Sequence, residues 1–242
     1  MQNPNGSWPA FVGDDKEGSW ATSLVLIALR ADVMAIIQRL DGFDWLAKSI
    51  GEESHWLWRW KFRTTDRRVK FDPDKFGWPW LPRTNSWVIP TAFAILALDQ
   101  LPCGCGVISA ERRIQLGIRM LFDRACPSGG WNAGNGIVYG IEMSPHPDDT
   151  AIALLALSAK GQEVIVKMSV AWLERIAPQL TAPWSLAWSI LALAAHHRRV
   201  DHLVQRLSCW TGLGETSDTG ALAVSSLALN HAQALARFGI TE

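Results

Sequence analysis

The sequence is poor in tyrosine, has no excess of either charge and contains no long apolar run. Lys and Arg total 23, as do Asp and Glu, so the net charge is zero. Nucleic-acid binding draws on a basic excess that releases counterions, so no nucleic-acid partner is predicted. No stretch of about 18 uncharged apolar residues predicts a membrane span. No basic segment followed by an apolar run stands near the start, so a cytoplasmic protein is expected.

Cysteine and metal-ligand patterns are also sparse. The four cysteines are Cys103, Cys105, Cys126 and Cys209. They include no pair of C-x-x-C units, which argues against a structural zinc site. No metal site and no cofactor are predicted, and free thiols in a reducing compartment are expected.

Hydrophobic residues and tryptophan are abundant instead. The chain of 242 residues is 48% hydrophobic and holds 14 Trp against a single Tyr. Disordered chains are poor in hydrophobic residues, so disorder is excluded. The length fits one domain over residues 1–242 with a sizeable core.

An apolar Ala/Leu-rich segment recurs five times along the chain. Aligned on their final Leu, the copies end at 29, 98, 157, 193 and 229, and the last two steps are 36 residues each. A unit of about 36 residues is typical of helical-hairpin repeats. The copies occupy residues 19–29, 86–98, 148–157, 184–193 and 219–229.

Amphipathic segments alternate with these apolar copies. They cover residues 31–50, 108–125, 166–180 and 200–210, with charges at helical spacing. A helix that is apolar on nearly all sides is buried, whereas an amphipathic helix is half exposed. The sequence therefore predicts an all-α fold, an α/α toroid of about five hairpins with an inner and an outer helix layer, complete or partial.

Glycine–tryptophan turns precede most inner segments. They are Gly6-Ser7-Trp8, Gly77-Trp78, Gly130-Trp131 and Trp210-Thr211-Gly212. With the T-A-x-A-L-L-A-L-like inner helices, they resemble the toroids of squalene–hopene cyclases and protein prenyltransferase β-subunits, over roughly residues 5–232. His146-Pro147-Asp148-Asp149-Thr150-Ala151 is similar to the D-x-D-D-T-A motif of class II terpene cyclases, with His146 replacing the first Asp.

The resemblance implies a proton-initiated cyclisation of an isoprenoid in a Trp-lined cavity. Asp148 matches the acid position, Asp149 its neighbour, and His146 would orient the pair. The alternative interpretation is that these carboxylates only cap a helix. Zinc-dependent prenyl transfer is not expected, because no D-x-C element is present. The length leaves room for one ring, so a homodimer or a partner subunit is expected to complete it.

The insert at residues 52–83 alternates aromatic residues with cations, which predicts a small β-hairpin near residues 56–72. A rim that binds phosphates or headgroups is predicted at Arg59, Lys61, Arg63, Arg67 and Arg68. Tryptophan also suits a membrane interface, so a peripheral membrane contact is one interpretation of this segment. Solvated cations on a protected strand edge are the other.

Aromatic residues near the starts of inner helices are predicted to line the isoprenoid cavity, with core packing as the alternative. The long loop 129–147 holds the only Tyr. The predicted substrate-binding set is Trp20, Trp87, Trp131, Tyr139, Trp184 and Trp188.

Three functions stay open from the sequence. The first is a class II terpene cyclase-like enzyme. The second is a non-catalytic module of the same architecture that binds a lipid, a prenyl chain or a protein. The third is a carbohydrate-active α/α barrel with two carboxylates, which the scarcity of polar groups on the inner helices disfavours.

Overall fold

The computed structural model describes residues 1–11, 13, 16–64, 70–101, 107–212 and 218–240. In this part of the chain, the secondary structure consists of eleven α-helices, short 3-10 turns and two short strands. The helices are α1 Ala21–Ala28, α2 Ile36–Lys48, α3 Trp56–Thr64, α4 Val88–Leu98, α5 Val107–Arg124, α6 Pro147–Ala156, α7 Val164–Ile176, α8 Pro183–Ala195, α9 Asp201–Gly212, α10 Thr219–Leu229 and α11 His231–Phe238. The strands are β1 Ile137–Val138 and β2 Ile141–Glu142.

The apolar repeat segments form a continuous series of helices, which we call the buried helices, although α1 and α10 at its two ends are partly exposed. Helices α1, α4, α6, α8 and α10 pack against one another in that order along the chain. Helix α4 is buried over nearly its whole length, as are α6 and α8, and their side chains form the centre of one hydrophobic core. Small Ala residues at most turns allow these helices to approach closely.

The amphipathic segments form helices between the buried ones. Helix α2 packs on α1 and α4, helix α7 on α6 and α8, and helix α9 on α8 and α10. Helix α11 contacts α1, α8 and α10, so the last helix of the described chain links the two ends of the buried series. The sequence pattern predicts all of these helices except α3 and α11.

A threonine at the start of each of the first three buried helices fixes the preceding tryptophan turn. Its side-chain oxygen accepts a hydrogen bond from the Trp backbone N–H at 2.9 Å and lies 3.1–3.4 Å from the same residue's carbonyl oxygen. Each threonine stands seven residues before the final Leu of its repeat. The pairs are Trp8 with Thr22, Trp78 with Thr91, and Trp131 with Thr150.

The predicted hairpin in the insert is wrong, because residues Trp56–Thr64 form helix α3. Residues that alternate at even spacing also recur every four residues, which places them on one face of a helix. Trp58 and Phe62 use this spacing and stack with ring centroids 5.8 Å apart. The two-stranded hairpin lies instead in the long loop, where Ile137 pairs with Glu142 and Val138 with Ile141.

One predicted turn is also absent from the structure. Trp210 and Gly212 belong to helix α9, so they do not form a turn before a buried helix. Across the described ranges, none of the helices is both long and apolar enough to traverse a bilayer.

Candidate functional site

An apolar cavity of about 420 Å³ lies among the buried helices, and we call it the tryptophan cavity. Its wall draws on α1, α4, α6, α8, α10 and α11 and on the segment before α4. The aromatic members of the wall are Trp20, Trp80, Phe93, Trp184, Trp188 and Phe238.

Helix α11 closes one end of the tryptophan cavity. Phe238 packs beside Trp188, with ring centroids 6.2 Å apart. The guanidinium of Arg30, which follows α1, donates to the carbonyl of Ala236. Gln100, which follows α4, donates to the carbonyl of Arg237 at 3.2 Å. These contacts hold α11 against the carboxyl ends of the buried helices.

The amino ends of the buried helices bring aromatic residues to the other side of the cavity. Trp20 lies directly before α1, and Trp184 is the second residue of α8. Trp184 is partly exposed to solvent, whereas Trp188, one turn deeper, is buried. Trp20 meets Trp80 edge-on at 4.9 Å. Aromatic rings therefore line the cavity at the amino ends of α1 and α8.

The wall of the tryptophan cavity is almost free of polar groups. Arg237 is the charged residue among the described residues that line it. The indole N–H of Trp188 is buried and has no hydrogen-bond partner in the described part of the chain. Such a wall can bind an apolar ligand and can stabilise a cation through ring faces.

Asp148 lies in the first turn of α6, next to α8. It is half buried, and its Oδ1 accepts a hydrogen bond from the hydroxyl of Ser185 at 2.6 Å. It stands nine residues before the final Leu of its repeat. The equivalent residues of the other four repeats all line the cavity: Trp20, Ile89, Trp184 and Gly220. Ile152, one turn further along α6, also lines it.

Asp149 is buried and hydrogen-bonded to His146. Its Oδ2 lies 3.1 Å from Nδ1 of His146, and its Oδ1 is buried with no hydrogen-bond partner among the described residues. Burial raises the pKa of the Asp149 carboxyl, and the nearby charge of Asp148 raises it further, against the lowering effect of His146. A carboxyl with a raised pKa holds its proton more readily.

Neither carboxylate occupies the N-cap position of α6, but both lie in its first turn, where a negative charge suits the positive end of the helix. His146 occupies the N-cap position of α6 without a side-chain capping hydrogen bond, and Pro147 is the first helical residue. Asp148 and Asp149 are therefore the second and third residues, inside the first turn. Among the described residues, neither carboxylate belongs to the wall of the tryptophan cavity.

Three of the six predicted substrate-binding residues lie outside the tryptophan cavity. Trp131 is completely buried between layers, and its indole N–H donates to the carbonyl of Leu121 at 2.7 Å. Tyr139 is exposed at the tip of the β1–β2 hairpin, with a positive φ of 52°. Trp87 is the N-cap of α4 and packs beside Gly134. Trp20, Trp184 and Trp188 are the three that the structure brings together.

The predicted basic rim is only partly available for a phosphate. Arg59 and Arg63 both bind the carboxylate of Asp74. Lys61 lies over the ring of Trp58, 4.4 Å from its centroid. The remaining two predicted residues, Arg67 and Arg68, fall outside the described residues.

Several residues that shape this site were not predicted from the sequence. Phe93 stands five residues before the final Leu of its repeat, as Trp188 does in its own, so the repeat register could have found it. Ser185 follows Trp184 and gave no signal, because its role depends on the packing of α8 against α6. Phe238 lies after the last repeat and gave none either.

In the part of the chain that the structure describes, no cluster of three or more His, Cys, Asp or Glu side chains could hold a metal ion. No protein-family model matches the chain, and no curated protein matches it significantly.

Proposed function

We propose that the buried helices form the inner layer of an α/α toroid whose tryptophan cavity binds an isoprenoid. The observation that supports it most is the cavity itself, which is lined by six aromatic rings and by aliphatic side chains. Apolar walls of this kind recognise hydrocarbon ligands. A carbohydrate would leave its hydroxyls unpaired against such a wall, which disfavours the third function.

The volume of the cavity favours a short isoprenoid. At about 30 Å³ for each water-sized group, 420 Å³ corresponds to about 14 groups. Farnesol is of this size and carries one hydroxyl oxygen, which the unpartnered N–H of Trp188 suits. Squalene is much longer, so it is expected to bind more weakly.

We further propose that the Asp148–Asp149 pair starts a cyclisation by protonating an alkene or an epoxide. The proton passes from a carboxyl to the substrate, which becomes a carbocation, and a later loss of a proton restores the carboxyl. The position of Asp148 supports this role, because the equivalent residues of the other repeats line the cavity. Asp149 supports it because its carboxyl is buried. The rings of Trp184 and Trp188 would stabilise the cation.

Binding is tested by filling the cavity from one side. Ala223 and Leu222 are neighbouring exposed residues of α10, and only Ala223 lines the cavity. We expect Ala223→Trp to weaken farnesol binding by at least about tenfold in calorimetric titration, because the new ring occupies the ligand volume. Leu222→Trp is the matched control and should bind as the wild type does. Equal binding by both variants would place the ligand elsewhere.

Catalysis is tested by incubation with geranylgeranyl diphosphate, farnesol and squalene, followed by analysis of the products by mass spectrometry. The proposal expects a cyclic product from the wild type and none from Asp148→Asn or Asp149→Asn. Formation of the same product by both variants would remove the pair from the reaction. Both variants should still bind farnesol, because neither carboxylate lines the wall.

A non-catalytic binding module is the second candidate, and one observation favours it. Both carboxylates already have partners, Asp148 in Ser185 and Asp149 in His146. Tight binding of farnesol without any product from the three substrates would support this candidate over the enzyme.

A further inference from the structure

Helix α3 exposes three large apolar side chains on one face. Trp56 is 68% exposed, Leu57 51% and Trp60 61%. Residues 56 and 60 are one helical turn apart, and residue 57 lies beside them, so the three form one stripe. Exposure of two tryptophans on one turn is unusual, because Trp is highly buried on average.

Cations flank this stripe on both sides. At 3.6 residues per turn, Arg59 and Arg63 border it on one side and Lys61 on the other. The helix contains no Asp or Glu. Both arginines bind the carboxylate of Asp74. Together with Lys61, these groups carry a net positive charge.

The opposite face of α3 fixes the helix with the stripe outward. Trp58 stacks on Phe62, and Phe62 meets Phe71 with ring centroids 4.7 Å apart. Phe71 in turn lies under the guanidinium of the buried Arg124 on α5, 3.9 Å from it. The face of α3 that packs against the rest of the protein is therefore the one opposite the stripe.

The segment before α3 is tied to the segment that leads into α4, whose first turn contributes Ile89 to the cavity wall. Just before the helix, Glu52 donates its N–H to Thr84, and the carboxylate of Glu53 accepts from the N–H of Ser86. Residues 84–86 lead directly into the amino end of α4. An open groove of about 770 Å³ separates Leu57 from Pro82, two residues after Trp80 of the cavity wall.

We propose that α3 is an interfacial helix that binds the surface of an anionic lipid bilayer. Trp56, Leu57 and Trp60 insert between headgroups and acyl chains, and the net positive charge beside them attracts the anionic headgroups. Amphipathic helices with aromatic apolar faces and basic borders lie in the plane of the membrane interface in this way. A second copy of the chain fits less well, because a two-fold contact would set the cations of one helix against those of the other.

Co-sedimentation with vesicles tests this proposal and does not depend on the proposed function. The wild type should bind vesicles of phosphatidylcholine with phosphatidylglycerol and should bind pure phosphatidylcholine more weakly. Replacing both tryptophans, Trp56→Ser with Trp60→Ser, should lower the partition coefficient by at least about tenfold, since each buried Trp contributes apolar area. The matched control is Val33→Ser with Met34→Ser, which removes apolar groups that are 79% and 90% exposed before α2. It should bind as the wild type does.

Four outcomes would overturn the proposal. The wild type could fail to bind either vesicle, or could bind both equally whatever the lipid charge. A folded tryptophan variant could bind as the wild type does, or the control variant could lose as much binding as the tryptophan variant. Circular dichroism and the melting temperature establish that each variant is folded. A dimer in sedimentation velocity that only the tryptophan variant dissolves would assign the stripe to a second copy instead.

Discussion

The side-chain hydroxyl of Thr150 binds both backbone polar groups of Trp131. It accepts from the N–H at 2.9 Å and donates to the carbonyl at 3.1 Å, and all of these groups are buried. The same relationship joins Thr91 to Trp78 in the preceding repeat. One small hydroxyl thus anchors the chain reversal that leads into each of these buried helices.

Replacing Thr150 with Val keeps the shape of the side chain and removes the hydroxyl. The Trp131 N–H and carbonyl then lose this partner inside the protein, so we expect a loss of about 1–3 kcal/mol in the free energy of unfolding. Chemical denaturation measures it. Thr150→Ser retains the hydroxyl and should lose less, and an equal loss in both variants would contradict the role of the hydrogen bonds.

Two glycines of the loop before α6 differ in what a side chain would meet. Both have positive φ, 82° at Gly130 and 76° at Gly140. A Cβ on Gly130 would stand 2.7 Å from Cβ of Pro145 and 2.8 Å from Oγ1 of Thr150, whereas one on Gly140 would meet nothing within 4 Å.

Gly140→Ala should therefore destabilise the fold only through backbone strain, by about 1–2 kcal/mol. Gly130→Ala adds overpacking, typically a further 1–3 kcal/mol, and displaces the Thr150 hydroxyl. Urea denaturation of the two variants gives the comparison. Equal losses would mean that Pro145 and Thr150 move away from the new methyl group without lowering the free energy of unfolding.

The helical class and the alternation of buried and half-exposed helices were predictable because their signal is repetitive. Five copies of one apolar segment, the first four followed by charges at helical spacing, indicate alternating buried and half-exposed helices without any reference to tertiary contacts. Helix α3 was not, since alternation at even spacing serves a strand and a helix face equally, and the ring of Phe71 decides between them.

The candidate site was predictable only where the repeat register reaches it. Trp184 and Trp188 lie at register positions that face the cavity, and the structure places them there. Trp131 was also predicted to line the cavity, but it belongs to a glycine–tryptophan turn, where its indole N–H donates to the carbonyl of Leu121 between layers. Partners such as Ser185 and Phe238 depend on which helices become neighbours, which no local pattern encodes.

His196, just after α8, gives the protein a pH dependence on the acidic side. Its Nε2 lies 3.0 Å from the carbonyl of Leu154, and burial lowers its pKa below the ordinary value of about 6.5. The folded state therefore binds this proton less readily than the unfolded state, so the stability is complete above about pH 6.5 and falls as the pH drops towards the folded pKa.

We expect His196→Gln to flatten this decline, because the amide can still donate to Leu154 but does not titrate. Denaturation curves collected between about pH 5 and pH 8 provide the test. The prediction fails if the wild type and the variant lose stability in parallel as the pH falls.

Asp149 should give a pH dependence of the opposite sign. Because burial raises its pKa in the folded state, the folded protein holds this proton more tightly than the unfolded chain, where the value is about 3.8. The stability from this carboxyl is present below about pH 3.8 and is lost as the pH rises through the folded pKa.

Asp149→Asn cannot ionise, so its advantage over the wild type in free energy of unfolding should grow as the pH rises towards neutrality. In His146→Ala, which lacks the group that lowers the pKa of Asp149, the loss should extend to higher pH. Superimposable pH profiles of the wild type and Asp149→Asn would show that this buried carboxyl ionises without cost, and it would then lack the proton that the cyclisation needs.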